Sequence, residues 1–218
     1  MIIMKKLQVI LTLTALLAFG LKAMAQSFNA GLLAGANFSQ VDGDSYFGYN
    51  QLGWTAGVFV NLPFSDYFSG QMELRYSLMG AHSSVKEVRE YNYNPYDLRL
   101  HYIEIPLMLR CNLGFFRIGS KRLDFITLEA GASLDLRMKA TEDVDGDFQV
   151  TTRRWNFFSA TGNVGLHFAI TKHLGIGARF MYSVVPSRFT GNPGWFYNQY
   201  YNKVIQATVT YTFYSPLR

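Results

Sequence analysis

Cysteine and charge are both scarce in this 218-residue chain. Cys111 is the only cysteine, so the chain has no internal disulfide and its stability must come from packing and backbone pairing. Charged residues make up only 16% of the chain, and aromatic residues reach the same 16%. A secreted soluble domain usually carries more charge and fewer aromatics, so this composition favours another environment for the surface.

Long apolar runs are also missing beyond the first 25 residues. No later segment reaches 18 uncharged apolar residues, which excludes a transmembrane helix in the mature chain. The first segment carries Lys5 and Lys6, an apolar run at Val9–Leu21 and the small-residue site Ala23-Met24-Ala25. A membrane anchor would need a longer run, so this order is typical of a cleaved secretory signal peptide. We predict a signal peptide at residues 1–25 and one domain at residues 26–218.

An excess of basic residues is largely confined to the predicted leader. Its removal takes away Lys5, Lys6 and Lys22 and no acid, which lowers the formal net charge from +5 to +2. The high isoelectric point is therefore poor evidence for binding to nucleic acid, and we predict no such partner.

What the sequence does contain is a two-residue alternation. In Gln71–Gly80 (QMELRYSLMG), Met72, Leu74, Tyr76 and Leu78 alternate with polar residues that include Glu73 and Arg75. Side chains alternate across a β-strand, so such a segment is one amphipathic strand. Eight segments share the pattern: Phe28–Ser39, Leu52–Leu62, Phe68–Met79, Ile103–Cys111, Ile126–Met138, Phe158–Ile170, Leu174–Ser183 and Tyr201–Phe213.

Two all-β architectures fit eight such strands. In a soluble lipocalin-like barrel the apolar faces point inward, whereas in an outer-membrane barrel they point to lipid and the polar faces fill the lumen. The strands have the length that a tilted strand needs to cross a bilayer. Short connections near Asn61–Tyr67, Asn112–Arg122 and Thr171–His173 alternate with four long ones, as outer-membrane barrels do. We therefore predict an eight-stranded antiparallel up-and-down transmembrane β-barrel.

Aromatic residues gather near the strand ends, as in the girdles that lie at lipid headgroups. One predicted rim contains Phe64, Tyr67, Phe68, Phe115, Phe116, Phe213 and Tyr214. The other contains Phe38, Trp54, Tyr76, Tyr102, Trp155, Phe157, Tyr182, Tyr200 and Tyr201.

Charged residues on the polar faces must then lie in the lumen. An eight-stranded barrel is just wide enough to be filled by side chains, so these charges must pair with each other or with trapped water. The predicted lumen network consists of Glu73, Arg75, Glu104, Arg110, Glu129, Asp135, Arg137 and Arg179. We interpret it as a structural plug of ion pairs; a gated ion path and a proton-coupled site are the alternatives.

Four motifs resemble one known family. They are F-N-A-G-L-L-A-G-A-N-F-S at Phe28–Ser39, Q-x-E-x-x-Y-S-x-x-G at Gln71–Gly80, Y-I-E-I-P-L-M-L-R at Tyr102–Arg110 and L-E-A-G at Leu128–Gly131. Together they resemble the PorT-like (porin-family) outer-membrane β-barrel proteins of Gram-negative bacteria. The resemblance implies an eight-stranded barrel in the bacterial outer membrane and no reaction, and one branch of the family resembles a component of type IX export. Pro106 lies within its third motif, and because proline cannot donate to a β-ladder we expect a bulge or a local kink there, with a shift of side-chain alternation before Tyr102.

Candidate catalytic and metal-binding groups are scattered. The histidines are His82, His101, His167 and His173, and none forms a convincing constellation with a nucleophile and an acid, so we predict no enzymatic activity. Acids crowd the segment Glu142–Asp147, where oxygen ligands could hold calcium. Its Gly146 does not fit an EF-hand loop, and Asp145-Gly146 suits a hairpin tip, so we predict no metal or cofactor.

The predicted function is that of an integral outer-membrane protein with a structural or interaction role and at most a narrow pore. Its partners would be outer-membrane lipid and an envelope protein that contacts the long loops, such as Val184–Tyr200. The alternatives are a subunit of an assembly or secretion machine, an enzyme sited at the barrel rim and the soluble lipocalin-like barrel.

Overall fold

A computed structural model describes residues 28–43, 48–90, 94–150, 155–189 and 199–213. The predicted signal peptide and its cleavage site lie outside these residues. The strands of the described chain are β1 (Asn29–Asp42), β2 (Gln51–Pro63), β3 (Phe68–His82), β4 (Tyr96–Asn112), β5 (Arg117–Ile118), β6 (Lys121–Arg122), β7 (Ile126–Val144), β8 (Asp147–Val150), β9 (Phe158–Ala169), β10 (Leu174–Ser183), β11 (Arg188–Phe189) and β12 (Gln199–Thr212). A short helix α1 (Val85–Glu90) follows β3, and a 3₁₀ turn (Leu113–Phe115) follows β4. Within the described residues no helix has the length and apolar character to cross a membrane.

Eight long strands form one closed antiparallel barrel, which confirms the predicted fold. Their order around the barrel is β1-β2-β3-β4-β7-β9-β10-β12, and β1 pairs with β12 from Gly31↔Thr212 to Asp42↔Tyr201. Closure pairs the backbone of every long strand on both sides, so no edge is left open to lipid.

The apolar face of each long strand points outward. On β3, Met72 and Leu74 are half exposed, whereas Glu73 and Arg75 between them are buried. The same alternation holds on β2, where Trp54 and Val58 face outward and Thr55 and Phe59 face the lumen. The soluble lipocalin-like alternative, with its apolar face inward, is therefore wrong.

The two ends of the barrel differ in their connections. At one end, named here the short-turn end, the links are residues 64–67, residues 113–125 with the β5–β6 hairpin, and residues 170–173. At the opposite, long-loop end, β7 and β8 continue as a hairpin around Asp145-Gly146. Both of these residues have positive φ, 55° and 83°, as a two-residue type I′ turn requires. The predicted hairpin tip and the alternation of short and long connections are confirmed.

A β-bulge interrupts the pairing of β4 with β7. Tyr102 pairs with Arg137 and His101 pairs with Lys139, so Met138 is an extra residue on β7. The sequence predicts a bulge or local kink on β4 at Pro106. The β3–β4 ladder lacks two pairs there without a shift of register, β4 keeps its alternation, and the extra residue lies on β7. In the β3–β4 ladder, the pairs Met72↔Leu107 and Arg75↔Glu104 flank this gap. Pro106 lies in it and has no N–H to donate.

Candidate functional site in the barrel lumen

Three glutamates and three arginines form a continuous chain of ion pairs in the middle of the lumen. The order is Arg110–Glu129–Arg179–Glu73–Arg75–Glu104, and the structure thus brings together six of the eight predicted residues. Equal numbers of acids and bases make the chain neutral. A neutral, mutually paired set is the arrangement in which buried charges can be tolerated.

Glu73 occupies the centre of this ion chain. Arg179 donates to it from Nη1 to Oε2 (2.8 Å) and from Nη2 to Oε1 (2.6 Å), while Arg75 Nη1 lies 3.3 Å from Oε2. The side chains of Glu73 and Arg75 have no exposed surface. The paired fork geometry fixes Glu73 more firmly than a single ion pair would.

The two ends of the ion chain are held by different groups. At the long-loop side, Arg75 Nε donates to Glu104 Oε2 (2.5 Å), and Ser77 Oγ donates to the same oxygen (2.6 Å). At the short-turn side, Arg110 Nε lies 2.8 Å from Glu129 Oε1, but the N–H does not point at the oxygen, so this contact is an ion pair without a hydrogen bond. Arg110 Nη1 donates instead to Gln71 Oε1 (2.7 Å).

Two neutral amide side chains extend the hydrogen-bond network from Arg75 to the backbone of the barrel wall. Arg75 Nη1 donates to Gln206 Oε1 (2.9 Å), and Gln206 Nε2 donates to Asn37 Oδ1 (2.9 Å). Asn37 then donates to the carbonyl of Leu78 (3.0 Å). The sequence alternation placed Gln206 and Asn37 on the polar face, but only the closed barrel brings β12 and β1 against Arg75 on β3.

Glycines make room for the two central arginines. Gly57 pairs with Arg75, and Gly165 pairs with Arg179. A Cβ at Gly57 would lie 2.6 Å from the Cα of Arg75, and a Cβ at Gly165 would lie 2.6 Å from the Cγ of Arg179. Each arginine stem therefore runs over a position that has no side chain.

Asp135 and Arg137 lie outside the ion chain, although the sequence grouped them with the other six. Asp135 stands directly opposite Glu104 on β4, accepts a hydrogen bond from Thr161 and has its Oδ1 buried without a partner among the described residues. Arg137 is drawn toward the long-loop end, where Nη2 donates to the carbonyl of Trp155 (2.7 Å) and Nε to that of Asn156 (2.9 Å). Arg137 thus bonds with backbone carbonyls of the following loop and does not neutralise Asp135.

A buried apolar cluster fills the lumen on the long-loop side of the ion chain; we name it the apolar plug. Leu98, Leu100 and Val41 have no exposed surface, and Tyr102 and Met181 have 1% each. The apolar plug consists of Val41, Met79, Ala81, Leu98, Leu100, Tyr102, Ala140, Trp155, Met181 and Val204. These ten side chains form one contiguous apolar cluster inside the barrel.

The sequence pattern does not predict the apolar plug, and it predicts another place for two of the members. Tyr102 and Trp155 are predicted in the lipid-facing aromatic rim, but both are buried inside the barrel. Tyr102 follows the inward alternation of Glu104, and its hydroxyl accepts a hydrogen bond from Asn202 (3.1 Å). A usable signal was present: near the long-loop end, inward positions such as Leu98 and Val41 change from polar to apolar.

Residues of the long loops close over the apolar plug. Trp155 Nε1 donates to Glu142 Oε1 (2.9 Å), and Arg188 Nη1 lies 3.2 Å from the same oxygen. The Arg188 guanidinium also lies over the rings of Trp155 (5.6 Å) and Tyr200 (5.3 Å). The Glu142 carboxylate therefore joins Trp155 to Arg188. Within the described residues, no group of three or more His, Cys, Asp or Glu side chains assembles to hold a metal.

A polar cavity of about 280 Å³ opens at the short-turn end of the lumen. Arg110 and His167 form part of its lining, and His167 Nε2 bonds with Thr210 Oγ1 (2.9 Å). The lumen thus has three layers: this cavity, the ion chain and the apolar plug.

The histidines are dispersed, and the serines beside His82 have structural partners. Ser84 and Glu87 form a capping box at the start of α1, with Ser84 N donating to Glu87 Oε2 (2.6 Å) and Glu87 N donating to Ser84 Oγ (3.2 Å). His82 lies 3.8 Å from Asp97, which also pairs with Arg99. No serine of the described chain is bonded to a histidine in the way that a nucleophile and its base would be.

Comparison with known proteins supports an envelope barrel. A family model described as outer membrane protein beta-barrel domain matches residues 24–187. Among solved structures, Neisserial surface protein A is 14% identical, with 85% of this chain and 97% of that chain covered and a TM-score of 0.50. Ail, the attachment invasion locus protein of Yersinia pestis, is 17% identical, with 85% and 98% covered and a TM-score of 0.47. At 14% identity, the likeness to Neisserial surface protein A shows a shared fold alone. No curated protein matches the chain.

Proposed function

We propose a function for this chain from one premise: it belongs to the outer membrane protein beta-barrel domain family. Its barrel lies in the bacterial outer membrane, with the apolar outer face in lipid. In such barrels the short turns face the periplasm and the long loops face outside. The short-turn end is accordingly the periplasmic end.

The proposed role is a non-conducting membrane platform that presents its long loops to the exterior. The observation that supports it is that both the ion chain and the apolar plug occupy the lumen. Eight strands leave an interior just wide enough for side chains, whereas open aqueous channels need about 16. A solute would have to displace both layers to pass.

Reconstitution into planar bilayers tests this role. We expect no stepwise conductance from folded wild-type protein, and insertion is verified by a band whose gel migration differs between unheated and boiled samples. Swelling of vesicles in a small sugar is the second readout and should equal that of protein-free vesicles. Reproducible conductance steps from the folded band would contradict the closed-platform role.

A subunit of an assembly or secretion machine is the second candidate, and the β7–β8 hairpin favours it. Among the described strands β8 pairs with β7 alone, and all four of its residues are exposed, Phe148 at 62% and Val150 at 63%. An exposed apolar edge strand is a template for strand addition by a partner. This role is the finer function that the resemblance to PorT-like proteins implies.

Site-specific photo-crosslinking in cells tests the partner. A photoreactive residue at Phe148 should give one discrete adduct with an envelope protein. The matched control is Ile118 in the β5–β6 hairpin, which is exposed at the opposite end of the barrel. Equal adduct patterns from both positions, or none from Phe148, would count against the second candidate.

A further inference from the structure

A diagonal row of side chains crosses the outer surface of four adjacent strands near the long-loop end. Trp54 on β2, Tyr76 on β3, His101 on β4 and Lys139 on β7 form this interface row. The rings of Trp54 and Tyr76 are 5.1 Å apart, those of Tyr76 and His101 are 6.0 Å apart, and the Tyr76 hydroxyl bonds with His101 Nδ1. His101 pairs directly with Lys139.

Lys139 faces outward because of the bulge at Met138. Inward positions on β7 are Glu129, Asp135 and Arg137, so uninterrupted alternation would send Lys139 into the lumen as well. The extra residue makes Met138 and Lys139 both exposed and places Ala140 in the apolar plug. Re-aiming a side chain is a common consequence of a bulge.

Within the part of the chain that the structure describes, the outward charge of Lys139 has no acidic partner. No carboxylate of the described chain forms an ion pair with Lys139, whereas the neighbouring Arg99 has its partner Asp97 at 2.7 Å. Aromatic side chains with polar tips sit at the membrane–water interface, so Trp54 and Tyr76 place the row at headgroup depth. An unpaired lysine at that depth extends its ammonium among the lipid headgroups.

We propose that the interface row binds the phosphorylated headgroup of a lipid in the outer leaflet. Lys139 supplies the charge that contacts the phosphate, His101 and Arg99 add donors beside it, and Trp54 and Tyr76 pack against the upper part of the acyl chains. The inference depends on the membrane position of the barrel and not on what the long loops bind.

Binding of lipid A to the full-length folded protein in neutral detergent micelles tests the proposal. Native mass spectrometry of a titration counts bound molecules of diphosphorylated lipid A and gives an apparent dissociation constant. Lys139→Gln should weaken this constant about fivefold, the contribution of one lysine near an anionic lipid surface. The matched control is Lys203→Gln at the same end, because Lys203 already has Asp42 at 3.8 Å, and it should leave the constant unchanged.

Three results would overturn the proposal. Lys139→Gln could bind as the wild type does, both lysine variants could lose affinity equally, or lipid A stripped of its phosphates could bind wild-type protein as tightly as the diphosphorylated form. Lys139 is exposed and the Lys203 side chain is 32% exposed, so unchanged heat-dependent gel migration is expected for both variants and verifies that they are folded.

Discussion

Arg179 on β10 reaches across the lumen and holds Glu73 on β3 through two hydrogen bonds of 2.6 and 2.8 Å. The two strands lie on opposite sides of the barrel, four positions apart in a ring of eight. This pair therefore connects opposite walls of the barrel across the lumen. Arg179 Nε also donates to Glu129 Oε2 (2.9 Å).

Removal of Arg179 should be the most costly change to the ion chain. Arg179→Ala leaves Glu73 and Glu129 without their shared partner, and breaking a buried ion pair costs about 3–5 kcal/mol in the free energy of unfolding. Unfolding by urea in lipid vesicles, monitored by gel migration, measures this free energy. Arg99→Ala removes an exposed arginine, also paired with a carboxylate, and should cost less than about 1 kcal/mol. Equal losses in the two variants would contradict the structural role of the ion chain.

Asp135 should destabilise the barrel through its charge. It faces Glu104 directly across the β4–β7 ladder, and none of the described arginines forms an ion pair with it. Asp135→Asn keeps the shape and removes a like-charge contact, so we expect a gain of roughly 0.2–1 kcal/mol in unfolding free energy. Glu104→Gln should act in the opposite direction, with a loss of roughly 1.5–3 kcal/mol, because Glu104 accepts bonds from Arg75 and Ser77. The sign of the difference between the two variants decides the prediction.

The alternation of lipid-facing and lumen-facing residues on β7 can be tested with one substitution at two positions. Ala130 lies exposed on the lipid face, and Ala130→Arg should cost roughly 2–4 kcal/mol if it lies near the bilayer midplane. Thr127 lines the short-turn cavity, where an arginine reaches water, so Thr127→Arg should cost much less. Equal tolerance in the same unfolding assay would contradict the outward assignment.

Trp155 should contribute to stability more than to closure. Trp155→Ala removes a large buried ring from the apolar plug and should cost about 3–5 kcal/mol in unfolding free energy. Conductance should stay absent at temperatures where the variant is folded, because the ion chain still blocks the lumen. Phe157→Ala, two residues away and 61% exposed, should change stability by less than about 0.5 kcal/mol. Channel steps in Trp155→Ala alone would show that the apolar plug is the sole seal.

The sequence by itself determined the eight long strands, most of their inward and outward positions, and the number of strands that closes the barrel. A side-chain period of two is a local property of extended backbone, so Met72, Glu73 and Leu74 could be assigned to opposite faces without any tertiary contact. The hairpin tip at Asp145-Gly146 was equally local, because positive φ at both positions suits few residues. The polar face also identified six residues of the ion chain.

Only the tertiary structure decided which side chains pair with each other inside the lumen. Glu73 and Arg179 are 106 positions apart, and their contact depends on closure and register, which alternation does not encode. The same holds for Arg137, which donates to the carbonyls of residues 155 and 156 and does not pair with Asp135. The bulge at Met138 arises in the pairing of β4 with β7, and that one extra residue turns Lys139 to the lipid surface. Packing from every side likewise buries Tyr102 and Trp155, whose aromatic character alone suggested the membrane interface.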